Sequence, residues 1–191
     1  SDGAGFKLFS PTGRVPCLID AERTVWDTLA ITEYVAEANP SVWPTDRGAR
    51  AWARCVAAEM HSGFHNIRGV CTMNCGLRVE VANWSESLLN EWQRIDELWC
   101  NGLSQYGGPF LTGTSFTAAD AFFAPVAFRV QTYTPELSSN AVAYANRLLA
   151  LPQMGEWYTA ALAELRRDEP HEAAACAAGT WLQDLRARVD A

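Results

Sequence analysis

Asp27 and Thr28 pair a carboxylate with a hydroxyl immediately before the helical pattern Leu29, Ile31, Tyr34, Val35. With Thr28 at the N-cap, the two would form a small polar nest. Its amide N–H groups and positive dipole end suit a ligand carboxylate, and the Asp27 carboxylate suits a ligand ammonium. A group carrying both charges is an amino acid. Upstream, Val15-Pro16 precedes the apolar run Cys17-Leu18-Ile19. Proline cannot donate to a strand ladder, so it marks where a strand begins. A cis bond there would leave the N–H and C=O of Val15 free to pair with an extended ligand, as in strand addition. A plain turn, a β-hairpin and an ordinary capped helix account for the same residues without a ligand.

Other candidate groups have structural explanations. Thr117-x-x-Asp120 is a capping-box pattern, in which the acidic residue reaches back to the cap N–H. That spacing makes Thr117 and Asp120 a structural cap, with Asp120 buried. His61 and His65 stand four apart near Glu59, Cys55, Cys71 and Cys75, so a metal site must be weighed. The spacing lacks the Glu of H-E-x-x-H, and no metal is expected. A metal-dependent hydrolase using the two histidines is a third reading. Arg129 in an apolar helix needs a partner, expected to be an internal carboxylate rather than a ligand. Cys17 is expected to point away from any ligand on Val15 and to behave as a small buried hydrophobe.

These groups need elements to position them. Residues 15–19 and 24–26 read as strands joined by the turn Asp20-Ala21-Glu22-Arg23. The helix from Thr28 should stop at Asn39-Pro40, because proline disfavours helical geometry in the residue before it. NPSVWPT then reads as a linker with Trp43 as its aromatic anchor. The rest reads as helical, with spans at 46–68, 86–106, 117–133, 138–149, 152–164 and 172–189. The third is apolar on nearly every side, as expected of a helix inside a bundle, and Pro125 should kink it. The expected class is α+β: a small mixed piece over residues 1–45, then an all-α domain over 46–191.

Composition narrows the partners. Of 191 residues, 49% are hydrophobic and 19% charged, which favours a globular fold over disorder. A net charge of -7 without a basic run argues against nucleic acid and anionic membranes. No apolar stretch is long enough to span a bilayer, and the first residues lack signal-peptide regions. Six scattered cysteines fit reduced thiols, and the expected location is the cytoplasm.

The stretches SPTGRVPCLID, VWDTLAITEYVAEANP and GGPFLTGTSFTAADAFFAPV, in that order, resemble the cytosolic glutathione transferases, bacterial members in particular. The resemblance extends over essentially the whole chain. It implies that the first piece is the second half of a thioredoxin-like domain and that the remainder is the family's all-α domain. It implies glutathione as co-substrate and no metal. Val15 would pair with the cysteinyl part across a cis-Pro16, Arg14 would lie alongside the peptide, and Asp27 and Thr28 would hold the γ-glutamyl end. Met60, His61 and Phe64 would wall a pocket for a small hydrophobic electrophile, on a helix that usually lines a homodimer interface.

The resemblance also implies that the Tyr, Ser or Cys acting on the sulfur lies on or just after a first strand well before the proline loop. No catalytic residue of that kind is therefore expected in this chain. The sequence is expected to be part of a longer protein, with a truncated gene or strands supplied by a partner as alternatives. The expected activity is conjugation of the glutathione thiolate to a small electrophile, of the kind that serves detoxification. A non-catalytic glutathione-fold module for binding or protein interaction is the alternative.

Overall fold

The computed structural model describes residues 5–187. Strands β1 (Cys17–Asp20) and β2 (Arg23–Trp26) form an antiparallel hairpin with Cys17 opposite Trp26 and Asp20 opposite Arg23. The first strand begins just after Pro16, two residues later than expected, because the ring carries no N–H. Helix α1 (Thr28–Ala38) follows and ends at Asn39, immediately before Pro40. Its N-cap is Asp27 rather than Thr28: the Asp27 carboxylate accepts from the Leu29 N–H at 2.9 Å. Among the described residues, no apolar side chain before Trp43 is fully buried. Trp43 itself is 4% exposed and anchors the linker, with the Arg54 guanidinium 5.7 Å above its ring.

Asp46 caps α2 (Arg47–Ser62) by accepting from Ala49 N–H at 2.8 Å. The single helix expected over 46–68 is broken, and α3 (His65–Val70) is separate. At Gly63 a Cβ would lie 2.8 Å from the Glu59 carbonyl, and Phe64 adopts the left-handed conformation at φ 59. Arg68 stitches the break, donating from Nη2 to the Met60 carbonyl at 2.5 Å and from Nε to that of Gly63 at 3.1 Å. Free carbonyls at a helix end need such partners.

Helix α4 (Glu86–Tyr106) closes on Gly107 in the left-handed conformation, as the Gly-Gly-Pro signal requires. Helices α5 (Ala118–Tyr133), α6 (Ser139–Leu149) and α7 (Pro152–Ala163) complete the bundle. Its centre is aromatic: Trp99 meets Phe123 and Tyr144 edge-on, with ring centroids 5.9 and 5.0 Å apart. Arg129, buried on α5, donates from Nε to the Cys71 carbonyl at 2.8 Å and from Nη1 to that of Pro125 at 3.3 Å. The expected carboxylate partner is absent among the described residues. Burial, and secondarily the nearby Arg68 charge, pull the Arg129 pKa down to about 10.

The larger unit also holds a two-stranded sheet. Strand β3 (Leu77–Val81) pairs antiparallel with β4 (Gly179–Asp184), which follows α8 (Glu169–Ala178). The helix expected over 172–189 thus ends at Ala178, and Val189 lies outside the described residues. Gly179 makes the switch, because a Cβ there would sit 1.9 Å from the Glu80 carbonyl across the ladder. Gly179→Ala is expected to destabilise the fold by about 2 kcal/mol, by the cost typical of overpacking. A thermal melt with an unchanged midpoint would contradict this.

Thiol chemistry should follow the packing. Cys71 and Cys75 are buried, and burial pushes both thiols up to about 11. A raised folded pKa means that their contribution to stability is present below the unfolded value and is lost as pH rises through about 11. Cys55 and Cys176 are exposed. Ellman's reagent at pH 8 should therefore modify these two quickly, and Cys71 and Cys75 only on unfolding.

Candidate functional site

A cleft of about 540 Å³ lies where the hairpin meets α2. One wall is the loop before β1. Its anchor is Ser10, 1% exposed, whose hydroxyl donates to the Arg14 carbonyl at 2.6 Å. The Thr12 hydroxyl accepts from the Arg14 N–H at 3.3 Å. This small scaffold aims Arg14 and Val15 at the cleft. The Val15-Pro16 bond is cis. Val15 is 57% exposed, and its backbone N–H and C=O have no partner among the described residues.

The opposite wall is the start of α1. Asp27 adopts φ 75, ψ 133, a conformation that costs a non-glycine residue free energy and that persists where the surroundings hold it. One of its carboxylate oxygens caps Leu29 N–H; the other lies 3.0 Å from His61 Nε2. Thr28 is the first helical residue and lines the cleft beside Asp27. His61, at the end of α2, closes the third side, with its ring edge-on to Phe122 at 6.4 Å between centroids.

Arg14, Val15, Pro16, Asp27, Thr28 and His61 thus meet around one volume. Met60 and Phe64 do not reach it; they are 3% and 7% exposed and belong to the helical core. His65 is exposed beyond the break after Ser62, off the helix that carries His61. Among the described residues, no group of three or more His, Cys, Asp or Glu side chains stands close enough to hold a metal ion. Cys17 is half-buried and its thiol donates to the Phe9 carbonyl at 3.4 Å, outside the cleft lining. Trp26 and Thr12 also line the cleft, and sequence reasoning passed over both. The alternation of the β2 strand, which sets which side Trp26 takes, was the available signal for it.

Asp120 is fully buried at the head of α5 and holds four donors. Its carboxylate accepts from the N–H groups of Leu111 and Thr117, both at 2.9 Å, from the Tyr144 hydroxyl at 2.8 Å and from the Thr117 hydroxyl at 3.2 Å. Burial pushes its pKa up, and these hydrogen bonds oppose the shift. The carboxylate ties the extended segment around Leu111 and α6 to the start of α5.

Residues 81–166 match the family model described as "Glutathione S-transferase, C-terminal domain". Over these residues the chain carries a glutathione S-transferase C-terminal domain. Its two-part architecture, a thioredoxin-like piece followed by the helical domain, is that of the cytosolic glutathione transferases. A probable maleylacetoacetate isomerase of Caenorhabditis elegans is 26% identical over 137 residues, covering 69% of this chain. The chain spans 63% of the length of that curated relative. Among solved structures, a glutathione transferase homologue from Burkholderia with bound glutathione superposes with a TM-score of 0.60 at 22% identity, covering 82% of this chain and 77% of that one. A maleylacetoacetate isomerase from Methylobacterium extorquens with bound malonate and glutathione gives 0.59 at 20% identity, covering 82% and 79%. At these identities the structural likeness speaks for the glutathione transferase fold. No helix among the described residues is long and apolar enough to cross a membrane.

Proposed function

We propose that the cleft binds glutathione and that the protein presents the glutathione thiolate to a small hydrophobic electrophile, as a cytoplasmic homodimer. The observation that carries this reading is the Asp27 carboxylate, held in a costly backbone conformation at a helix N-terminus and sharing the cleft with Val15, whose backbone N–H and C=O have no partner among the described residues. In this reading the γ-glutamyl ammonium joins Asp27, and its carboxylate meets Thr28 and the first amides of α1. The cysteinyl backbone pairs with Val15 as an added strand. Arg14 runs alongside the peptide and supplies a cation for its terminal carboxylate. The solved relatives named above, two with glutathione bound, support the same ligand.

The chemistry rests on the thiolate as the reactive form, so that attack on an electrophilic carbon needs the sulfur deprotonated near neutral pH. The chain's own residues grip and orient the peptide. His61, with Phe122 against it, forms the wall on which an electrophile would lie, backed from the core by Met60 and Phe64. Conjugation and isomerisation both use such an arrangement, and the relatives carry names of both kinds.

The alternative is a non-catalytic module that keeps the peptide grip and uses the bundle for protein interaction. Retention on immobilised glutathione together with turnover of a halogenated dinitrobenzene supports the enzyme. Retention without turnover favours the module, and no retention removes Asp27 and Thr28 as site residues.

A further inference from the structure

The cleft at Asp27 contains a group of the protein's own that can take an ammonium's place. His61 Nε2 lies 3.0 Å from Asp27 Oδ2, the oxygen left over once Oδ1 has capped the Leu29 N–H. The ligand's ammonium would sit on that same oxygen. Two elements set the imidazole there: the end of α2 carries it, and Phe122 of α5 meets its ring edge-on. The side chains of the pair are 32% and 45% exposed, so a ligand can reach them. Of the three histidines in the chain, His65 is exposed beyond the break after α2 and His171 lies on α8 against the Met73 carbonyl. His61 alone lines this cleft.

The contact between His61 and Asp27 joins α2 to α1, but the two helices do not depend on it. Two turns earlier on α2, Arg54 grips Glu33 of α1, from Nε to Oε1 at 3.0 Å and from Nη2 to Oε2 at 2.8 Å. This bidentate pair can hold α1 in place while His61 leaves Asp27. The remaining charged groups around the imidazole are committed or fixed in charge. Glu59 pairs with Arg94 of α4 at 2.7 Å, and Arg68 donates to the Met60 and Gly63 carbonyls. Arg14 shares the cleft and stays cationic at every working pH. Asp27 therefore offers one negative charge to two cations. An imidazolium uses that charge and repels an arriving ammonium. A neutral imidazole leaves the charge to the ligand, and a carboxylate oxygen has lone pairs for both donors.

We infer that His61 is an internal stand-in for the ligand's ammonium on Asp27, and that glutathione binds by exchanging one cation for the other, His61 giving up a ring proton to solvent. The inference rests on the glutathione reading of the cleft. An imidazole changes its charge between about pH 5 and 8, so affinity should rise with pH across that range. The probe is S-methylglutathione, which keeps the γ-glutamyl group and has no thiol to titrate. Calorimetric titration of the full protein should give an affinity about tenfold higher at the alkaline end of that range than at the acid end. At the acid end the heat should also depend on the ionisation enthalpy of the buffer, the mark of a released proton. His61→Gln keeps a donor for Asp27 without the charge, and its affinity should stay level over the same range. A level wild-type profile, or an equal rise in His61→Gln, would overturn the exchange and leave the glutathione reading standing. Absence of S-methylglutathione binding at every pH would overturn both.

Discussion

Asp27→Asn should raise the Kd for glutathione about thirtyfold while leaving the fold intact. The asparagine keeps an oxygen for the Leu29 N–H and nearly matches the aspartate in shape. What it loses is the negative charge that would meet the γ-glutamyl ammonium. Removing one member of a hydrogen-bonded charge pair costs about 2 kcal/mol or more, which is a factor of about thirty in Kd. Asp27→Ala would confound the measurement, because it also removes the cap and places a β-carbon residue without a polar side chain at φ 75. Calorimetric titration of both proteins, with a thermal melt of each, separates the two effects. Equal affinities would mean that Asp27 is a helix cap and nothing more.

The largest effect on stability is expected at Asp120. Asp120→Ala strips acceptors from two amides and one tyrosine hydroxyl in a site with no exposure. Each orphaned buried donor costs about 1–3 kcal/mol, so a loss of about 4 kcal/mol is expected from chemical denaturation. The pH dependence has a definite sign. Burial raises the folded pKa above the unfolded one, so the Asp120 contribution is fully present below the ordinary carboxylate range and diminishes as pH rises through the folded value. The stability gap between the wild type and Asp120→Asn should therefore narrow from acid towards neutral pH. A gap that widens would mean that the four donors outweigh burial.

Local chemistry was legible where it is self-contained. The caps at Asp46 and Thr117-x-x-Asp120, the stop at Asn39-Pro40 and the end of α4 at Gly107 all rest on residues within a turn of one another. That these residues share one cleft was legible for a related reason: Arg14, Val15, Pro16, Asp27 and Thr28 lie in one short strip of chain, brought together by a hairpin. Only its detail shifted, with the cap moving from Thr28 to Asp27.

The errors fall where tertiary partners decide. Leu77-Arg78-Val79-Glu80-Val81 alternates as a strand should, but its partner arrives about a hundred residues later, after a run of alanines that reads as helix. Gly179 marks that change only once Glu80 is known to face it. The break at Gly63 and Phe64 was hidden because the apolar stripe continues through it. The resemblance placed Met60, His61 and Phe64 together on a pocket wall. Periodicity identifies an apolar face without saying which part of it meets the core, and only His61 reached the cleft. Arg129 found the Cys71 carbonyl at the end of α3, a partner no spacing rule could indicate.

The central claim is that the Asp27 cleft holds glutathione through both charges of its γ-glutamyl group. Titration of the protein with glutathione, and in parallel with the analogue lacking the γ-glutamyl amine, tests it most directly. The account predicts saturable one-to-one binding of glutathione and at least about tenfold weaker binding of the deaminated analogue. Equal affinity for the two, or no binding of either, would contradict it.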